Sequence, residues 1–232
     1  MGGRGSGSGL SFSIPGPGGG NYTQNSLIEQ LPGTITEALG DRGAPKSVND
    51  AMTKANPFFS QAYSEYSENC QRCVVAYELR RRGYDVEAQP TYQGDKWPQV
   101  ITINGQRLGR WRGAFRHATT DRVGASGNNL AAENKVLANL KSKMREYGNG
   151  ARAVVNIQYR GHGSGHVFSA ENHNGQVSFV DAQTGQRYST ASMQNLLHIV
   201  ETGTVGLTRT DNLRVSGRVT NFVWQNHNKR NK

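Results

Sequence analysis

The chain has 232 residues, a formal net charge of +10, 29 glycines and two cysteines. So few cysteines exclude a disulfide scaffold, and the lack of any run of about eighteen apolar residues excludes a membrane-spanning helix. The excess of Lys and Arg favours anionic partners, nucleic acid or an acidic protein, by long-range attraction, although solubility alone is the simpler account of it. No zinc-finger, recognition-helix or aromatic ribonucleoprotein pattern supports a nucleic-acid module, which is not favoured.

Taken in chain order, residues 1–20 ("GGRGSGSG", "PGPGGGN") hold too little apolar surface to offset the entropy of ordering and read as a flexible lead. No apolar stretch with a cleavage site opens the chain, so a soluble protein without an ordinary secretion signal is expected. Residues 21–55 read as an extension with short helices over 26–39 and 46–56, broken by "LPG" and "RGAP". Residues 56–69, "NPFFSQAYSEYSEN", are aromatic and polar without a clean period and read as a loop. A helix of about four turns is expected from Cys70, with Asn69 as N-cap, Cys73, Val74, Ala76 and Tyr77 on its apolar side, and Gly83 as its stop. Arg80, Arg81 and Arg82 would complement the negative end of that helix.

A short strand over 84–90 stops at Pro90, and Asn104-Gly105 signals a hairpin within 100–109. Residues 129–148 form the clearest amphipathic helix, capped by Asn128 or Asn129 and ended by Gly148. A buried strand over 151–159 follows, then two strands around Asn174-Gly175, a helix over 189–203 and one or two strands over 207–224. Helices followed by a mostly antiparallel sheet make an α+β domain. The tail from 226 to 232 is basic.

A two-residue turn at Asn174-Gly175 sets His173 opposite Gln176, Asn172 opposite Val177 and Ala170 opposite Phe179. Continued outward, it sets Phe168 opposite Asp181 and His166 opposite Gln183. His166 and Asp181 then become diagonal neighbours within hydrogen-bond reach. A carboxylate on one imidazole nitrogen leaves the other as a base, although a polar cap at the end of the sheet would look the same. Gly161, Gly163 and Gly165 open the approach, and His162 reads as a loop residue.

Cys70 and Cys73 suit four readings: half of a zinc site, a redox pair, core packing, or one nucleophile beside one packing residue. A nucleophile belongs in the first turn of a helix, where unpaired N–H groups and the helix dipole favour a thiolate, and that position is held by Cys70.

The segments "NCQRCVVAYELRRRGYDVEAQP" (69–90), "GHVFSAENHNGQVSFVDAQTG" (165–185) and "RTDNL" (209–213) resemble the papain-fold toxins of the glutamine-deamidase type. These occur in bacterial toxins and in phage and mobile-element proteins. The resemblance implies a papain-like α+β fold over 56–225, with the cysteine-bearing helix packed on a mostly antiparallel sheet. It implies a Cys70, His166, Asp181 triad, with Cys73 the alternative nucleophile if ordinary papain proteases are the guide. Asn69 and Gln183 become candidates for holding the oxyanion or the substrate. The implied chemistry is thiol-dependent acyl transfer that deamidates a glutamine of a target protein; the alternatives are a cysteine protease with the same triad or a phage structural protein retaining the fold. No cofactor or metal is expected. An immunity protein and action in the cytoplasm of a target cell after delivery are implied in the same way.

Overall fold

In a computed structural model of the chain, the described residues are 33–91, 101–103, 106–161 and 163–226. The lead over 1–20, the hairpin turn at Asn104-Gly105, His162 and residues 227–232 of the basic tail lie outside them. Among the described residues no helix is long and apolar enough to cross a membrane.

Helices α1 (Gly33–Leu39), α2 (Val48–Lys54) and the single turn α3 (Ser64–Ser67) precede α4 (Cys70–Arg81), which begins at Cys70 as its sequence signals predict. Strand β1 (Val86–Ala88) follows, then the β2 (Ile101–Ile103) and β3 (Gln106–Gly109) pair, a 3-10 turn at Trp111–Ala114 and the short β4 (Asp121–Arg122). Helix α5 (Leu130–Glu146) is capped by the Asn129 side chain, which accepts from the Ala132 N–H at 3.0 Å. Strands β5 (Arg152–Gln158), β6 (Gly165–His173), β7 (Gln176–Asp181) and β8 (Gln186–Tyr188) come next. After α6 (Thr190–His198), β9 (Gly206–Arg209) and β10 (Val223–Gln225) close the described chain.

Six strands form one antiparallel sheet in the order β4-β9-β5-β6-β7-β8, and β10 pairs separately with β1. Side chains alternate across this sheet and so feed two cores. Val154, Val167 and Val180 face a core built with α4, α1 and α2, to which the α1 and α2 side chains Ile35, Leu39, Ala51 and Met52 contribute. Val155, Phe168, Ala170 and Phe179 face the opposite core with Val136, Leu140 and Met144 of α5 and Met193 and Leu197 of α6. Each large side chain buried in this way stabilises the fold by about 1.5–3 kcal/mol.

Helix α4 has no solvent face over most of its length: every residue from Cys70 to Arg80 is buried. Its charged residues persist inside because each finds a partner, and here the arginines do more than complement the end of the helix. Arg80 donates to Asp50 (2.7 Å) and Asp85 (3.0 Å), and Arg81 to Glu171 (2.6 Å). Glu78 accepts from Arg82 at 2.7 Å and from both Arg152 Nε (2.9 Å) and Nη2 (3.0 Å). Although burial opposes its charge, these two guanidinium groups hold the Glu78 carboxyl down at about 2. Gly83 ends the helix at φ +106°, where a Cβ would lie 2.2 Å from the Gly43 carbonyl oxygen. Only glycine fits there.

Candidate active site

The β6–β7 hairpin has the register expected from its Asn-Gly turn, with Asn174 and Gly175 both at positive φ and the pairs His173↔Gln176, Asn172↔Val177 and Ala170↔Phe179. The ladder stops at Ser169↔Val180, so the two outermost expected pairs are not formed. The cause is a reversal at 182–185, with Gly185 at φ +69°, that takes Gln183 out of the strand and returns the chain into β8. β6 meanwhile stays paired with β5 down to Gly165↔Gln158. A Cβ on Gly165 would lie 2.1 Å from the Ile157 carbonyl oxygen, so a glycine is required immediately before His166.

At this end of the sheet His166 Nε2 lies 3.0 Å from Asp181 Oδ2. The Tyr188 hydroxyl donates to the same carboxylate oxygen at 3.2 Å, and the Gln183 N–H donates to Oδ1 at 2.9 Å. Phe168 stacks on the imidazole, with centroids 6.1 Å apart. His166 and Cys70 line the same cleft and interact electrostatically. Burial disfavours the imidazolium, but the bond to Asp181 and the electrostatic interactions with Asp181 and Cys70 outweigh it and push His166 up to about 10. Burial likewise works against the Asp181 carboxylate, and His166, the Gln183 N–H and Tyr188 overcome it to hold that carboxyl below its ordinary value.

Both cysteines are free thiols, and the two have different surroundings. Cys70 lies in the first turn of α4 and lines a cleft together with His166, Gln71, Trp111 and Arg112. Cys73, one turn deeper and 1% exposed, gives its thiol proton to Asn69 Oδ1 at 3.1 Å. Burial, reinforced by Cys70 and Asp181, pushes the Cys73 thiol well above its ordinary range. It is held neutral in the core.

Asn69 precedes α4 but does not cap it through its side chain, in contrast to the sequence expectation. Its backbone, at φ −98° and ψ 23°, is outside the extended region used by capping residues. Its carboxamide is instead spent inside the protein. Nδ2 donates to Asn56 Oδ1 and to the Gln89 carbonyl, both at 3.1 Å, and Oδ1 accepts from Asn56 as well as from Cys73. Gln183 Nε2 donates to the Ser67 carbonyl, and Asn56 donates to the Gln183 carbonyl at 2.9 Å. Asn69 and Gln183 thus tie the loop before α4 to the end of β7.

The helix's own hydrogen bonds begin at the Arg72 and Cys73 N–H groups, both on the Asn69 carbonyl. Those of Cys70 and Gln71 stand outside that ladder, as the first N–H groups of a helix do. Gln71 Oε1 accepts from the Trp111 N–H at 3.1 Å and fastens the 3-10 turn over the start of α4.

The family model for papain fold toxin 1, glutamine deamidase, matches residues 68–186. The chain belongs to this family. The match spans just over half of the chain, from the residue two before Cys70 to the first residue of β8, and so contains Cys70, His166 and Asp181. No curated protein matches the chain, and no solved structure does. Membership in the papain-fold toxins agrees with the α+β architecture, a cysteine-bearing helix against an antiparallel sheet, and supports a cysteine-dependent deamidase activity.

Tyr188, Trp111, Gln71 and Arg112 are the site residues that the sequence reading missed. Tyr188 reaches Asp181 from the next strand, β8, across a longer reversal than the Asn-Gly turn. The four-residue reversal at 182–185 pairs Asp181 with Gln186 and Phe179 with Tyr188, on the face that carries Asp181. Trp111 and Arg112 arrive through a 3-10 turn with no periodic signal in the sequence.

Proposed function

We propose that this toxin-family protein deamidates a glutamine side chain of a target protein, with Cys70 as nucleophile, His166 as acid and base, and Asp181 as the residue that orients His166. The observation that carries the proposal is that His166 pairs with Asp181 and lines one cleft with Cys70, with which it interacts electrostatically, while Cys73 is sealed against Asn69.

With Nε2 occupied by Asp181, Nδ1 is the nitrogen left to serve the sulfur. The Cys70 proton passes to His166, and the sulfur attacks the carboxamide carbon. The developing oxyanion is received by the Cys70 N–H and by Gln71 Nε2, because both N–H bonds of Asn69 Nδ2 are already spent inside the protein. When the C–N bond breaks, the His166 proton leaves with ammonia and a thioester remains on Cys70. Water, deprotonated by His166, attacks the thioester, the C–S bond breaks, and the side chain is released as glutamate. The net reaction consumes one water and releases one ammonia.

On this proposal the target lies in the cytoplasm of a cell that receives the protein, and the producing cell needs a neutralising partner or another safeguard. The test is mass spectrometry of candidate targets together with ammonia release. A gain of about one dalton on a glutamine, without fragments, is the expected result. Backbone cleavage would instead indicate a protease, and a Cys70→Ala variant with undiminished toxicity would remove the enzyme reading altogether.

A further inference from the structure

Arg112 differs from six other arginines that are packed into this fold. Arg80, Arg81, Arg82, Arg152, Arg160 and Arg209 each meet a carboxylate. Arg112 is half-buried beside Cys70 in the cleft, and its contacts among the described residues are all neutral: Nε donates to Thr120 Oγ1 at 2.8 Å, Nη2 donates to Asn156 Oδ1 at 2.9 Å, and the guanidinium carbon lies 5.0 Å from the centre of the Trp111 ring. These contacts fix the plane of the guanidinium. They use Nε–H and one Nη2–H of its five N–H bonds, which leaves both N–H bonds of Nη1 and one of Nη2, enough for a two-pronged grip on an anion.

A fork of this kind matches the two oxygens of a carboxylate. Arg110 lines the same cleft, and among the described residues no Asp or Glu does. Desolvation in the cleft and the neighbouring charge of Arg110 work against the Arg112 cation, so an anion there relieves both.

We propose that Arg112 is a specificity-determining residue that grips a carboxylate of the substrate, making the cleft selective for glutamines with an acidic residue close by in the target chain. The proposal rests on the deamidase reading for the identity of the substrate, but the positive cleft beside Cys70 can be probed without any deamidation.

The probes are three N-chloroacetyl dipeptide amides with glutamate, glutamine or lysine next to the chloroacetyl group. The Cys70 sulfur displaces chloride from each, forming a C–S bond as the C–Cl bond breaks, and the rates are normalised to those of glutathione. On the full-length protein the glutamate probe is expected to label Cys70 about fivefold or more faster than the lysine probe. Salt at about 0.5 M should shrink that ratio, a test that requires no variant. Arg112→Gln should bring the ratio to within about twofold, whereas Arg112→Lys, which keeps the charge and loses the fork, should retain part of it. A normalised ratio near one in the unaltered protein, or an undiminished ratio in Arg112→Gln, overturns the proposal. Acid-selective labelling by a protein that releases no ammonia from glutamine peptides upholds the cleft's preference and removes the deamidase reading instead.

Discussion

At its C-terminal end α4 carries Glu78, Arg80, Arg81 and Arg82, each closed on partners within the protein. At its N-terminal end Cys70 opens on a cleft whose inner guanidinium, Arg112, meets no carboxylate among the described residues. The same helix is thus an anchor at one end and an open site at the other. A buried charge that is answered internally serves the fold, because removing either member strands the other. A charge left unanswered beside a reactive group is available to a substrate.

The largest effect should come from the open end. Cys70→Ala should lower ammonia release by about a thousandfold or more while leaving the melting temperature close to that of the unaltered protein; His166→Ala should lower it as far but also cost stability, because the buried Asp181 carboxylate loses its partner. A modest drop would mean that another group carries the reaction. Glu78→Gln at the closed end should do the reverse, costing about 3–5 kcal/mol because Arg82 and Arg152 lose their shared partner. Urea unfolding measures that loss, and activity per folded molecule should change little. Between the two ends, Cys73→Ala should cost about 1–2 kcal/mol through a small cavity and one lost hydrogen bond, with turnover retained.

Titration sharpens the same contrast. Glu78 has a folded value of about 2 against an ordinary 4.5. Its stabilising contribution is therefore fully present above 4.5 and is lost as pH falls from there through about 2. His166 has the opposite sign: raised from 6.5 to about 10, it stabilises the folded state fully below 6.5 and ceases to as pH rises through about 10. Activity that depends on its proton should fall over the upper part of that range, and Asp181→Asn should shift the alkaline limb to lower pH. An unmoved limb would mean that Asp181 does not support the imidazolium. The smallest effect should be that of Tyr188→Phe, a loss of about two- to fivefold in turnover from one weaker hydrogen bond on Asp181.

What was legible in the sequence was local. One Asn-Gly turn and the alternation of a strand sufficed to bring His166 next to Asp181, because a two-residue turn fixes the register. Asn69, Cys70 and Gly83 likewise marked the two ends of α4. The partners of the three arginines were not legible, since Asp50, Glu171 and the rest approach from distant parts of the chain. Asn69 misled for the same reason: a capping residue by type, it is recruited by Asn56 and Gln89 in the folded interior. The cleft wall was hidden because Trp111 and Arg112 belong to a turn that only tertiary packing fixes over α4.

The division of labour between the two thiols is tested most directly by the rate of iodoacetamide labelling, read separately at each cysteine. Arg72 lies between them, so trypsin sends Cys70 and Cys73 to different peptides. The predicted result is rapid modification of Cys70 that is lost in His166→Ala, with Cys73 labelled only after unfolding. Equal labelling of both thiols in the folded protein, or labelling of Cys70 that is indifferent to His166, would contradict the assignment.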